Sequence, residues 1–231
     1  MTPEQQALDE VLARAKYAGG GRSFRYSFSS AGDPCLRALV YDAQDHDDGT
    51  TQPEEPRRLR DVLAMKCGNA VGEHIEQAAR QLGWSTQTRH TFSTGAVEVY
   101  GSSDLFLPGK LLLDTKLVGE KSWARRPHAK HKLQANGYAV EADIPTAGLL
   151  YIRASTIFDE DSPEVEIDLI TWPASVELAQ ELCGVWESVD MHRKLRTLPE
   201  RPWGASPRRW PCGWCRHLAR CGPKEEEETQ C

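Results

Sequence analysis

Apolar and polar residues recur along this chain with two different periods, and the switches between them outline its elements. Between residues 57 and 82 apolar positions fall every three or four residues, which predicts one long helix stopped by Gly83. Leu63, Cys67, Val71, His74, Ala78 and Leu82 form its expected inward stripe. From Trp84 to Phe92 the residues alternate, as in a strand with one buried face. Val97–Tyr100 then leads into two apolar runs, Leu105–Leu107 and Leu111–Leu113, separated by Pro108-Gly109. That pair suits a turn with a positive φ at glycine and predicts a β-hairpin. A helix near His128–Glu141, strands at Thr146–Arg153 and Glu164–Thr171, and a helix over Ser175–Arg196 follow.

The flanks are less regular. Thr2-Pro3-Glu4-Gln5 has the cap and first-turn proline of a helix carrying Leu8, Val11, Leu12 and Ala15, and Gly19-Gly20-Gly21 ends it. Arg22–Ser30 fits a strand or a loop. Asp33-Pro34 starts a short helix with Cys35, Leu36, Leu39 and Val40, and Gln44–Pro56 reads as an acidic loop. Strands interleaved with helices predict an α/β fold with a mixed central sheet flanked by helices. The expected segments are 1–56 (N-terminal, helical), 57–196 (core), 197–223 (a cysteine-bearing appendage) and 224–231 (an acidic tail).

With 231 residues and 39% hydrophobic content, one medium domain plus an appendage is expected. No apolar run approaches the roughly 18 residues of a membrane span. The start, Met-Thr-Pro-Glu-Gln-Gln, lacks a secretory pattern, so a cytoplasmic protein is expected. In that reducing compartment seven cysteines point to metal ligation more than to disulfides. The net charge of −6 argues against nucleic acid until its distribution is considered. No acid occurs between Glu120 and Glu141, where Lys121, Arg125, Arg126, Lys130 and Lys132 all fall. A basic path there would suit a phosphate backbone, although a solvated helix face accounts for any one of them.

The chemistry gathers at the hairpin. Asp104 enters it, and Asp114 and Lys116 leave it on one face of a strand, with Thr115 on the other. Buried charges of this kind are costly unless paired or metal-bound. Register decides whether Asp104 joins them. A two-residue loop sets Asp104 opposite Leu113, whereas a three-residue loop taking in Lys110, or a bulge, sets it opposite Asp114. Two acids sharing a metal would require the second.

Asp104, nine residues, then Asp114-x-Lys116 resembles the PD-(D/E)XK nuclease core in its RecB-like branch. The resemblance implies a restriction-endonuclease-like core. Val71-Gly-Glu-His74 stands where that group carries a Gly-x-x-x-His-type helix, and Gln134-Ala-Asn-Gly-Tyr138 looks like its Gln-x-x-x-Tyr helix. His131, one turn earlier, reads as a surface imidazole. Past a proline- and arginine-rich linker, Cys212-x-x-Cys215 and Cys221 make a metal signal that lacks a fourth ligand. Cys35, Cys67, Cys183, Cys231 and His217 are the candidates, and Cys35 at a helix start is the better one. Cys35 with Cys212, Cys215 and Cys221 resembles the iron–sulfur clasp of the AddB subunit and the CRISPR-associated Cas-four type. That implies a [4Fe–4S] cluster joining the N- and C-terminal segments; zinc fits the spacing as well.

The resemblance implies a metal-dependent exonuclease acting on single-stranded DNA ends. His74, Asp104, Asp114 and the Thr115 carbonyl would hold Mg²⁺ or Mn²⁺. Lys116 would serve the attacking water or the developing charge, with Gln134 and Tyr138 positioning substrate or Lys116. Besides DNA, the implied partners are further copies of the chain or proteins of recombination or CRISPR adaptation. Trp123, Trp203, Trp210 and Trp214 could stack on bases or pack internally. Two rival classes are a catalytically silent nucleic-acid adaptor and a zinc-stabilised scaffold.

Overall fold

The computed structural model describes residues 25–31, 35–50, 59–157, 159, 161, 164–201, 215 and 217–221. The expected helix over residues 2–19, Cys212, Trp203, Trp210, Trp214, Cys231 and the acidic tail lie outside them. Five strands form one mixed sheet in the order β1-β2-β3-β4-β5. They are β1 (Ser85–Ser93), β2 (Glu98–Leu107), β3 (Leu111–Val118), β4 (Thr146–Arg153) and β5 (Ile167–Pro173). Neighbours are antiparallel except β3 and β4. A parallel pair needs a long crossover. Here it carries the short α3 (Glu120–Trp123) and α4 (Ala129–Glu141). The remaining helices are α1 (Leu36–Asp47), α2 (Leu59–Gln81), α5 (Ala154–Ile157), α6 (Val176–Lys194) and α7 (Leu218–Cys221). None of the described helices is long and apolar enough to cross a membrane.

Local chemistry accounts for several boundaries. The Ser175 hydroxyl accepts the Leu178 amide and starts α6, whose last turn holds His192, Arg193 and Lys194 against the helix dipole. β5 lies at the sheet edge, so Pro173 at its end breaks no ladder. The main core unites Phe28, Leu39, Val40, Val99, Leu112, Tyr138, Leu182 and Trp186. Gly137 is the small residue that lets α4 enter it. A Cβ there would stand 2.7 Å from Phe28 Cδ1 and 3.0 Å from Leu182 Cδ1. Alanine gains about 1 kcal/mol of helix propensity, but overpacking costs about 1–3 kcal/mol. Gly137→Ala should therefore lower the denaturation midpoint; a raised midpoint would show that Phe28 swings clear.

Two expectations are corrected. Asp45–Asp48, assigned to a loop, continue the first helix to Asp47, because its acids find cationic partners. Asp47 pairs with Arg193, Asp48 with Arg196 and Asp45 with Arg220. The long helix α2 is where expected, but it presents a different face. Leu63 and Leu82 are 52% and 79% exposed, His74 and Ala78 are exposed as well, and Val62 and Glu76 are buried. Periodicity finds a helix; packing against β1, β2 and β3 chooses its face.

Candidate active site

The hairpin takes the longer turn. Leu105 pairs with Leu113, Phe106 with Leu112 and Leu107 with Leu111, leaving Pro108, Gly109 and Lys110 as the loop. Gly109 has φ 69°, and the Lys110 amide closes the turn on the Leu107 carbonyl. One step beyond the paired residues, Asp104 comes across from Asp114, the register that a shared site requires.

Side-chain alternation breaks beside it. Thr86 and His90 are four apart on β1 and should share a face. Instead Thr86 meets Arg80 on α2, whereas His90 meets Glu141 on α4. Between them Gln87 holds φ 49°, a left-handed conformation that turns the strand over. This crease brings residues of α2 and α4, from opposite faces of the sheet, toward the same hairpin.

Asp114 is 2% exposed, and its two oxygens have different neighbours. Oδ1 accepts from Gln134 Nε2 at 3.4 Å. Oδ2 lies 2.5 Å from Lys116 Nζ in a buried ion pair and receives no further donor. Burial pushes the carboxyl up to about 6; Lys116 opposes the rise and Asp104 adds to it. Asp104 accepts the Thr115 amide on Oδ2 at 2.7 Å and Gln87 Nε2 on Oδ1 at 3.2 Å. Its carboxyl is also raised by burial, with the Thr115 amide working against that and Glu76 reinforcing it. Gln134 Nε2 donates to Tyr138 Oη at 3.0 Å as well as to Asp114. Burial raises the Tyr138 phenol far above its ordinary range.

Glu76 is the residue that sequence reasoning missed. It is buried on α2, its Oε1 accepts from Gln87 Nε2 at 2.7 Å, and its Oε2 pairs with Arg80. Gln87 thus bridges Glu76 and Asp104. The available signal is an acid between Ile75 and Ala79 that follows Gly72 by four residues. His74 itself, expected to point inward, is exposed.

The other expected residues divide. His131 is a correction: its Nδ1 sits 3.0 Å from Tyr151 Oη, and it is not a surface imidazole. Burial, with Lys116 second, pushes it down to about 3. Tyr151 stands directly across from Lys116 on the neighbouring strand. Of the basic residues, Lys121, Arg125 and Lys130 are exposed. Arg126 is held by Asp168 and by the Trp123 ring, 3.7 Å from its centroid, and Lys132 leans over Trp172. Trp123 packs beside Val118, Ala135, Leu149 and Tyr151, a packing role. Cys35 precedes α1, and His217 and Arg220, between Cys215 and Cys221, reach acids of the same helix. His217 Nε2 meets Asp42 at 2.6 Å, and Arg220 meets Asp45 and the Tyr41 ring. His217 is therefore engaged by α1 acids.

Among the described residues no three histidine, cysteine or acidic side chains converge closely enough to hold a metal ion as they stand. The donors at the hairpin nevertheless suit one. Two neighbouring carboxylates whose charges are penalised by burial, with Lys116 the one cation paired to them among the described residues, are what a divalent cation would offset.

No family model matches the chain, and no curated protein matches it in sequence. Solved structures do. The protein SSO0001 superposes with a TM-score of 0.56 at 15% identity, over 97% of this chain and 98% of that one. An alkaline exonuclease (LHK-Exo) from Laribacter hongkongensis gives 0.51 at 11% identity, over 81% of this chain and 95% of that one. The likeness is one of fold: an α/β chain with a five-stranded mixed sheet flanked by helices, resembling an exonuclease fold.

Proposed function

We propose that this chain is a divalent-metal-dependent deoxyribonuclease, acting as an exonuclease on single-stranded DNA. The observation that carries the reading is the hairpin constellation: a buried Asp114 ion-paired with Lys116 and set across from Asp104 by a three-residue turn. Asp104, Asp114 and the Thr115 carbonyl would hold Mg²⁺ or Mn²⁺, with Glu76 as a third acid in preference to the outward His74. When bound, such an ion supplies Lewis acidity at the scissile phosphate and a lowered pKa for a bound water. The chain's own residues do the rest. Lys116 Nζ, ion-paired with Asp114 Oδ2, would orient the attacking water or stabilise charge on the phosphate. Gln134 holds Asp114 Oδ1 and is itself held by Tyr138. The exposed Lys121, Arg125 and Lys130 offer a path for the phosphate backbone, and Arg126 contributes only if it leaves Asp168.

The clasp belongs to the same proposal. Cys35, Cys212, Cys215 and Cys221 would hold a [4Fe–4S] cluster, with zinc as the second choice, and its role would be structural. What supports it is the docking of the Cys215–Cys221 segment on the helix that Cys35 begins. Such a cluster would place the chain with the AddB and Cas-four type nucleases, in recombination or CRISPR adaptation.

The test is anaerobic purification followed by digestion of 5′- and 3′-labelled single-stranded DNA with Mn²⁺, beside Asp114→Ala. Degradation by the wild type alone is expected, and the label released first gives the polarity. DNA bound but uncut under every cation would sink the nuclease reading in favour of a silent adaptor. A brown protein absorbing near the blue edge separates iron–sulfur from zinc.

A further inference from the structure

Beside the hairpin lies a second buried polar chain that cleavage leaves unused. His90 on β1 is 2% exposed and meets a polar partner at each ring nitrogen. Nδ1 is 2.5 Å from Glu141 Oε2, and Nε2 is 2.8 Å from Ser103 Oγ. Glu141 Oε1 also accepts the Thr91 amide at 3.5 Å. Serine, histidine and glutamate are the members of a nucleophilic triad. Here Ser103 is fully buried, so no substrate reaches its hydroxyl and acyl transfer is excluded. Packing alone is a poor account too, because an apolar trio would fill the space without the cost of burying polar groups.

What three such groups provide is orientation. They join the end of α4, β1, and the residue of β2 next to Asp104, and two hydrogen bonds leave the imidazole one ring plane. That plane stacks on Tyr138, with centroids 5.0 Å and planes 28° apart. The Tyr138 ring is closed in from other directions as well. It packs on Phe28 at 4.6 Å, and a Cβ on Gly101 would stand 2.6 Å from its Cε1 and its Oη. Tyr138 Oη then receives Gln134 Nε2 at 3.0 Å, and the same nitrogen reaches Asp114 Oδ1 at 3.4 Å. Five side chains from three elements thus lead from Glu141 to the Asp114 carboxylate.

We propose that His90, clamped by Glu141 and Ser103, is a positioning residue that sets the Tyr138–Gln134 pair and thereby aims Asp114. Its effect on rate rests on the nuclease reading; its effect on Tyr138 does not. The test uses the full chain, purified anaerobically with tyrosine labelled at ¹³Cζ, and Tyr138→Phe assigns the resonance. His90→Phe keeps a ring for stacking and loses both hydrogen bonds. Glu141→Gln and Ser103→Ala alter one contact each, and they carry the test if His90→Phe does not fold.

In folded variants the Tyr138 resonance should move. On labelled single-stranded DNA with Mn²⁺, kcat should fall about 10–100-fold, the usual cost of disturbing groups behind a metal-holding carboxylate. KM should change by less than about twofold, because the loss lies in aiming and leaves substrate binding intact. A fall in kcat without a rise in KM is not what general loosening of the fold gives. An unmoved resonance in folded variants overturns the proposal. So does a moved resonance with unchanged kcat, since Tyr138 would then not aim Asp114. Wild-type protein that cuts nothing defeats the nuclease reading instead, and the resonance still decides whether His90 sets Tyr138.

Discussion

Asp114→Asn should cripple the proposed cleavage and yet, without added divalent cations at pH 7.5, make the protein more stable. Burial lifts the Asp114 carboxyl from 3.8 to about 6, against the pull of Lys116. The folded state therefore holds this proton more tightly than the unfolded state. The stability it contributes is fully present below about pH 3.8, falls as pH rises, and is lost above about pH 6. The gap corresponds to roughly 3 kcal/mol at neutral pH. Asparagine has the same shape and no charge, so it escapes that penalty, while Lys116 loses its ion-pair partner and offsets part of the gain. A net stabilisation of about 1–2 kcal/mol is expected at pH 7.5 and little at pH 4. Denaturant unfolding at the two pH values measures it, and equal stability of wild type and variant at pH 7.5 would defeat the assignment. Cleavage should drop at least about 100-fold, since a ligand is lost together with its charge.

Lys116→Ala should cost about 10²–10⁴-fold in cleavage while the protein stays folded and still binds DNA. The lysine side chain is 23% exposed, so its removal opens no sealed core cavity. Lys116→Arg should not restore activity, because a planar guanidinium does not replace a compact ammonium at a fixed point. The two substitutions are coupled through the 2.5 Å ion pair. Alone, Lys116→Ala leaves Asp114 buried with less compensation and lowers stability at pH 7.5 but not at pH 4. With Asp114→Asn added, that loss should vanish, and a double-mutant cycle reads the coupling directly. Full activity of Lys116→Ala would remove the lysine from the site.

Much of this was legible before any coordinates. Every described strand, the helix bearing Gln134 and Tyr138, and the helix that Ser175 caps fall within a few residues of where the hydrophobic pattern puts them. The reason is local: alternation and turn residues act over a few positions and need no distant partner. The ion pair of Asp114 with Lys116 was legible for the same reason, since i and i+2 share a strand face. Even the turn length was posed as a choice, although Pro108-Gly109-Lys110 alone did not make it.

The misreadings share one physical cause. A helix has an apolar stripe in sequence, but which stripe turns inward depends on the surface it meets. α2 turns Gly68 toward Leu117 of β3, where an added Cβ would stand in ordinary contact 3.8 Å from Leu117 Cβ, so the packed face is one that periodicity ranks low. That rotation buries Glu76 and exposes His74. His131 was misread because its partner, Tyr151, lies twenty residues away on another strand. The acids of α1 were assigned to a loop because the arginines that pair with them come about 150 residues later.

The sequence by itself therefore determined the strand and helix order, the mixed α/β class, and the two aspartates and lysine of the hairpin, all properties of spacing along one element. Only the tertiary structure decided the burial of Glu76 beside Gln87, the crease at Gln87, and the chain from Glu141 through His90 to Tyr138. These depend on which faces meet, and that is settled by packing between elements far apart in the chain.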